Sequence, residues 1–291
     1  MPSVFMSKNN SGHLPNLIII GAQKCATSAL HYYLGLHPQI FMSKQKELDF
    51  FIGERSWGKG ISWYKSHFTG TFKIYGEASP NYTVHPLYKE VPARMYSLVP
   101  EAKLIYLVRD PLERIVSHYV HRLASGKEKR KFEELFVDIN SAEVYLARSR
   151  YCEQIEQFLK YFPKKNILIL NQEDLLLNRD STMKTVFRFL CVEENFSSRR
   201  FSIMPHRSDE KREKNSIGEK LSKNSLINNF IERSPPNMRW RVKRSVYYPF
   251  SQPIKRPVLS KEQVRFLTDA LLDDITRFRK LTGHDFSSWS L

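Results

Sequence analysis

Residues 17–30 read LIIIGAQKCATSAL: an apolar run, a glycine, a lysine inside a turn of small residues, and the start of a helical pattern. Leu17 to Ile20, bounded by Asn16 and Gly21, is the continuous apolar run of a strand buried on both faces of a parallel sheet. TSALHYYLGLHP follows with helical spacing at Leu30, Tyr33 and Leu34, with Thr27 expected as the cap and Pro38 as the stop. A helix start of this kind suits an anion, because unpaired backbone N–H groups and the helix dipole both point there. Yet the loop breaks the nucleotide-binding spelling G-x-x-x-x-G-K-[ST]: Lys24 follows Gly21 by three residues, and the second glycine is absent.

The same alternation recurs along the chain. FKIYG (72–76) leads to a helix expected near Pro86, AKLIYLV (102–108) to one starting at Pro111, and NILIL (166–170) to STMKTVFRFL. Strands alternating with helices predict an α/β fold, a doubly wound, mainly parallel sheet whose ligands bind at the carboxyl ends of the strands. One domain is expected over residues 16–291, after a flexible N-terminus over residues 1–15. Residues 193–258 break the alternation, with Pro235, Pro236, Pro249, Pro253 and Pro257, and read as loops and short helices laid over the ligand edge. A last helix runs from Ser260, its cap, to about Leu281 before Gly283.

Composition narrows the partner. The 291 residues are 41% hydrophobic and 26% charged, which suits a chain folded through most of its length. Net charge is +16, and residues 199–256 hold 15 Lys/Arg against 5 Asp/Glu, so that segment faces something anionic or stays solvated. A nucleic acid, an acidic polymer and a multiply phosphorylated small ligand all fit that charge. Cys25, Cys152 and Cys191 form no CxxC pair, so reduced and mostly buried thiols are expected rather than a disulfide framework or a zinc site. No apolar run approaches the roughly 18 residues of a membrane span, and the first residues lack a signal-peptide layout, so a cytoplasmic protein is expected.

A second motif decides among the anions. In YLVRDPLERIVSHY (106–119), Arg109 ends a buried strand at the ligand edge, where its guanidinium fork can clamp a phosphate. Pro111 restarts the chain as a helix, and Ser117 falls about two turns in, on roughly the same face. Together the two motifs resemble those of the sulfotransferases that use 3′-phosphoadenosine 5′-phosphosulfate (PAPS): GAQKCATS is similar to their 5′-phosphosulfate loop, and RDPLERIVSHY to their 3′-phosphate signature RDPxxRxxSxY. The resemblance continues through HPQIFMSKQKELDFF, YGEASPNYT, SRYCEQIEQFLKYFPKKNILILNQEDL and IKRPVLSKEQ, from about residue 16 to the end. It is stronger to bacterial single-domain members and the heparan-sulfate type of domain than to the cytosolic phenol and steroid type.

Sulfuryl transfer is mainly positioning plus neutralisation of charge on the transferred and leaving oxygens. Strand–loop–helix geometry places Lys24 at the bridging oxygen and the amides of Cys25, Ala26, Thr27 and Ser28 on the remaining ones. The resemblance implies Arg109 and Ser117 on the 3′-phosphate, Lys255 and Arg256 closing from the basic segment, and Glu47 of KELDFF as the base. Relatives often carry histidine two residues after that glutamate, where this chain has Asp49. Glu47, Asp49 and Glu77 are therefore expected to give the acceptor site an acidic lining that favours a cationic small molecule, an amine, guanidinium compound or alkaloid. Tyr151 is expected near cofactor or acceptor. Arg239, Arg241, Lys243 and Arg244 read as solvated surface, and His206, Arg207 and Ser208 carry no assigned role.

No metal is required, since lysine and backbone donors can neutralise the charge and no ligand spacing is legible. No Ser-His-Asp or Cys-His arrangement appears, so transfer is expected to be direct. Two other classes compete: a P-loop kinase, which predicts magnesium-dependent ATP turnover, and a basic nucleic-acid-binding protein, which predicts steeply salt-dependent polyanion binding. Neither accounts for both Lys24 and the Arg109/Ser117 pair. The expected acceptor is the hydroxyl or the amine or carbamoyl nitrogen of a natural product, with a carbohydrate or glycolipid as the alternative.

Overall fold

The computed structural model describes residues 12–203, 211–234 and 238–291. Five strands form a parallel sheet: β1 (Leu17–Gly21), β2 (Ile40–Met42), β3 (Ile74–Ala78), β4 (Lys103–Val108) and β5 (Ile167–Asn171), in the order β2-β3-β1-β4-β5. Helices α1 (Thr27–Leu34), α2 (Gly60–Lys65), α3 (Val91–Leu98), α4 (Pro111–Ala124), α5 (Ile139–Leu146), α6 (Tyr151–Leu159), α7 (Gln172–Leu177) and α8 (Arg179–Leu190) fill the connections. Strand order reverses around β1, the first strand, so the sheet winds in both directions from it and the loops after β1, β3 and β4 open on one edge.

Apolar runs explain the centre. All five residues of β1 and five of the six in β4 are buried, as a strand covered on both faces requires. On one side Phe50 stacks on Tyr64 with ring centroids 4.0 Å apart, and Phe51 packs edge-on against Tyr64. Elsewhere Tyr151 packs against Phe278 and Trp289 from the C-terminal end of the chain.

Several boundaries differ from the sequence reading, each for a local reason. Thr27 does not cap α1; the cap position is Ala26, in the left-handed region at φ 60°, and Thr27 is the first helical residue. The helix expected near Pro86 begins at Val91, with Pro92 in its first turn, because Val84 to Glu90 turn back before a helix starts. Part of the expected flexible start is tied down: the His13 amide donates to the Phe68 carbonyl at 2.9 Å and its ring stacks on Tyr75. Residues 1–11 lie outside the described residues.

The basic segment holds more order than loops and short helices alone. An antiparallel pair, β6 (Arg212–Lys214) and β7 (Ser251–Pro253), brackets α9 (Ser216–Lys223), α10 (Ser225–Arg233) and α11 (Arg239–Tyr247). At three residues per strand, β6 and β7 are too short to leave an alternation in the sequence. The last helix, α12 (Lys261–Thr282), is as expected: a Ser260–Gln263 capping box opens it, and Gly283 at φ 75° closes it.

One buried acid is a structural keystone of β3. Glu77 has no exposed surface and accepts from Tyr64 Oη (2.7 Å), Tyr82 Oη (2.7 Å) and Ser79 Oγ (2.6 Å). Truncation to alanine would strand three buried hydroxyls, each costing about 1–3 kcal/mol. Urea denaturation should show Glu77→Ala less stable by about 3 kcal/mol or more, and Glu77→Gln less affected because it keeps one acceptor oxygen. An unchanged midpoint in Glu77→Ala would contradict this role.

Candidate active site

Gly21 ends β1 where no side chain fits: a Cβ there would lie 2.0 Å from Thr83 Oγ1 and 3.0 Å from the Tyr106 ring. Thr83 donates to the Ile20 carbonyl at 3.2 Å, so the segment after β3 is locked to the end of β1. Four of the seven non-glycine residues with positive φ among the described residues, Lys24, Ala26, Glu47 and Asp49, lie in the two loops expected to meet the substrates. Such conformations cost energy and gather where geometry serves function. No side chain caps α1, whereas Asp110 caps α4 by accepting from the Leu112 and Glu113 amides. The first amides of α1, Thr27 and Ser28, therefore have no acceptor within the helix.

Cys25 contributes differently from expectation. Its amide donates to the Ala22 carbonyl at 3.2 Å, so the loop itself uses that N–H. Its thiol is fully buried 3.8 Å from Tyr151 Oη, and burial pushes its pKa up to about 11, which makes it packing rather than a nucleophile. Of the other thiols, Cys152 is buried and Cys191 is exposed.

Lysines converge on this loop. Lys46 Nζ donates to Ser28 Oγ at 2.6 Å, and Lys24 lies beside Lys211, which itself donates to His121 Nδ1 at 2.5 Å. None of Lys24, Lys46 and Lys211 makes an ion pair among the described residues. Burial first, and neighbouring cations after it, lower the pKa of all three, Lys211 to about 7. Two histidines nearby are driven neutral, His31 to about 4 and His121 to about 3, again by burial first and then by lysine charge. Buried cations without carboxylate partners are costly unless an anion completes the site.

The expected 3′-phosphate residues assemble in part. Glu113 Oε2 accepts from Arg109 at 3.0 Å and from Arg256 at 2.6 Å, so one carboxylate holds both arginines together. Arg109 Nε is buried without a partner among the described residues. Ser117 lies on α4 with 1% of its surface exposed, and Lys255 is exposed beside Arg256. Arg114, of the same motif, is fully buried and donates to Ser149 Oγ (2.6 Å) and the Tyr145 carbonyl (2.5 Å), which fixes α4 to the α5–α6 connection.

On the acceptor side the expected acidic lining does not form. Glu77 is sealed in the core beneath its three hydroxyl donors. Asp49 is 5% exposed, ion-paired to Arg55 and bonded to Asn81 Nδ2, so its charge is answered within the chain. Glu47 alone of the three is exposed; its amide donates to the Ala78 carbonyl at 2.9 Å, anchoring it at the carboxyl end of β3. Tyr151 is not an acceptor contact either: it is fully buried and donates to the Arg109 carbonyl at 2.9 Å, so it supports the arginine loop from behind.

Lys211, His121, Glu113 and Arg55 were not singled out by sequence. The i,i+4 spacing of Arg109 and Glu113 was readable as a helical ion pair. Lys211 gave no local signal, being one lysine within the charged run DEKREK. His206, Arg207 and Ser208 lie outside the described residues, as do the side chains of Arg241, Lys243 and Arg244; Arg239 is exposed.

The lysine cluster sets a pH dependence. Because folding lowers the lysine pKa values, the unfolded chain binds more protons between about 7 and the ordinary lysine value of 10.5, so stability rises with pH across that window. The melting temperature of the ligand-free chain should rise from pH 7 to pH 9, and Lys211→Met should flatten the rise. A slope identical in the two proteins would contradict the cluster.

Comparison with known proteins agrees with this geometry. A sulfotransferase domain model matches residues 14–235. Human heparan sulfate glucosamine 3-O-sulfotransferase 5 is 37% identical over 196 residues, covering 63% of this chain and 55% of that protein, so the match spans about half of that relative's length. Human heparan sulfate glucosamine 3-O-sulfotransferase 3B1 is 27% identical over 294 residues, covering 98% of this chain and 67% of that one. Among solved structures, a sulfotransferase from Alicyclobacillus acidocaldarius superposes with a TM-score of 0.68 at 22% identity, covering 96% of this chain and all of its own. Mouse sulfotransferase SULT7A1 complexed with PAP gives 0.51 at 12% identity, covering 91% of this chain and 85% of that one. Among the described residues no helix is long and apolar enough to cross a membrane. Fold, loop and sequence together place the chain in the sulfotransferase family.

Proposed function

We propose that the protein moves a sulfonate group from PAPS to a hydroxyl or amine of a carbohydrate-type acceptor. The observation that carries the reading is the cluster of Lys24, Lys46 and Lys211 without an ion-pair partner among the described residues, at an uncapped helix start and beside Arg109 with its unpartnered Nε. Those groups fit a dianionic phosphosulfate and a second phosphate better than a single anion. PAPS supplies an activated sulfonate and a stable bisphosphate leaving group.

The chain's own residues then divide the work. Lys24 neutralises charge that builds on the leaving oxygen, and the amides of Thr27 and Ser28 stabilise the loop's anion. Lys46, bonded to Ser28, orients that hydroxyl at the helix start. Arg109 and Arg256, joined through Glu113, hold the second phosphate together with Ser117 and Lys255. Glu47, exposed at the carboxyl end of β3, takes the proton from the acceptor.

A carbohydrate acceptor is supported by the likeness to the heparan sulfate glucosamine 3-O-sulfotransferases and by charge. With Asp49 paired to Arg55 and Glu77 buried, Glu47 is the sole exposed acid of the expected lining, and Lys44 and Lys46 flank it. That surface gives no preference for a cation, so the amine or alkaloid acceptor loses its physical basis.

Transfer of labelled sulfonate from PAPS to a panel of desulfated glucosamine-containing oligosaccharides and cationic amines tests the reading. Label should enter the saccharides. Glu47→Gln should lower kcat by about 10²–10⁴ while bisphosphate affinity holds, and Lys24→Ala should lower it by about 10²–10³. Label confined to the amines would overturn the acceptor class, and full activity in both variants would overturn the mechanism.

A further inference from the structure

Lys211 stands outside every motif described above, yet it is the residue that touches the loop lysine. It precedes β6, whose strand is pinned by Arg212 donating to Ser251 Oγ at 3.0 Å and stacking over the Tyr248 ring at 4.1 Å. The Lys211 carbonyl accepts from the Ile254 amide at 3.2 Å, so its backbone is fixed to the chain that runs on to Lys255 and Arg256. From there its amine reaches across to two elements of the sheet domain, Lys24 on the loop after β1 and His121 on α4. His121 sits one turn beyond Ser117, on the helix that Arg109 and Asp110 begin.

The hydrogen-bond chemistry of this trio is restrictive. Two ammonium groups side by side in a partly buried site disfavour each other's charge, so one lysine of the pair is neutral until an anion arrives. His121 Nδ1, facing a lysine Nζ, must be the accepting nitrogen of a neutral ring, in line with the depression of its pKa. Lys211 is therefore the neutral lysine, beside charged Lys24 and bonded to the neutral His121 ring. Burial and the Lys24 charge leave Lys211 titrating near 7, while Lys211 works to keep Lys24 charged. Among the described residues, the groups acting on the trio are Arg109, Arg114 and Cys25 on Lys24, and Lys127 and Arg122 on His121, and no carboxylate is among them.

We propose that Lys211 is a further binding residue of the phosphosulfate end, and that anion capture loads one proton from solvent onto it. This rests on the sulfotransferase reading given above. A multiply charged anion at Lys24 removes the penalty for a second ammonium beside the first. Lys211 then takes a proton from the buffered solvent onto its lone pair, turns the new N–H to the ligand and keeps its bond to His121.

Calorimetric titration of the full chain with adenosine 3′,5′-bisphosphate at pH 8, in buffers of differing ionisation enthalpy, counts the protons taken up. At that pH the ligand's phosphates, with second pKa values near 6, are already ionised. Wild type should take up a fraction of a proton approaching one per ligand. Lys211→Met should take up close to none and bind about tenfold more weakly. Lys211→Arg, always charged, should bind like wild type but without uptake, which separates charge loading from a folding defect. Uptake unchanged in Lys211→Met, or affinity unchanged in it, would overturn the role of Lys211. Failure of wild type to bind the bisphosphate at all would instead overturn the sulfotransferase reading beneath it.

Discussion

Positive charge gathered at the end of one buried strand, with no ion pair to its lysines among the described residues, is the constraint on which the rest of the site depends. Burial lowers the proton affinity of Lys24, Lys46 and Lys211, the Lys24 charge lowers that of the other two further, and the two histidines beside them are held neutral. A stable fold tolerates such an arrangement only where the surrounding structure over-determines it. Here it does: Gly21 admits Thr83, Tyr151 props the Arg109 carbonyl, and Arg114 is anchored to Ser149 and Tyr145.

The sheet explains why the parts meet. With β1 at its centre, the carboxyl ends of the parallel strands open on one edge, where the residues of the proposed site gather. The β1 loop offers lysine and free amides, the end of β3 anchors Glu47 through the Ala78 carbonyl, and the end of β4 presents Arg109. The basic segment reaches that edge at two points, Lys211 against Lys24 and Arg256 against Glu113. Two such contacts let a peripheral segment respond to what occupies the centre.

Much of this was legible from residues alone. Continuous apolar runs gave β1, β4 and β5 to within a residue or two, and Ser260 and Gly283 bracketed the last helix. Lys24 and Arg109 could be singled out because each follows a strand end in a motif of fixed spacing, whereas Glu47, in the loop after β2, was implied by the resemblance alone. The acidic lining was misread because burial is a tertiary property: nothing local to Asp49 or Glu77 signals that Arg55 neutralises one and three hydroxyls enclose the other. Tyr151, expected near cofactor or acceptor, lies behind the arginine loop, against the Cys25 thiol and the Arg109 carbonyl. Lys211 and His121, 90 residues apart, meet only through the packing of β6 against α4, a contact no periodicity encodes.

A crystal structure of the chain with adenosine 3′,5′-bisphosphate tests the central claim most directly. The account predicts the 5′-phosphate against Lys24, Thr27 and Ser28, with Lys211 alongside, and the 3′-phosphate against Arg109 and Ser117. A nucleotide bound with its phosphates reversed, or seated away from the β1 loop, would contradict it.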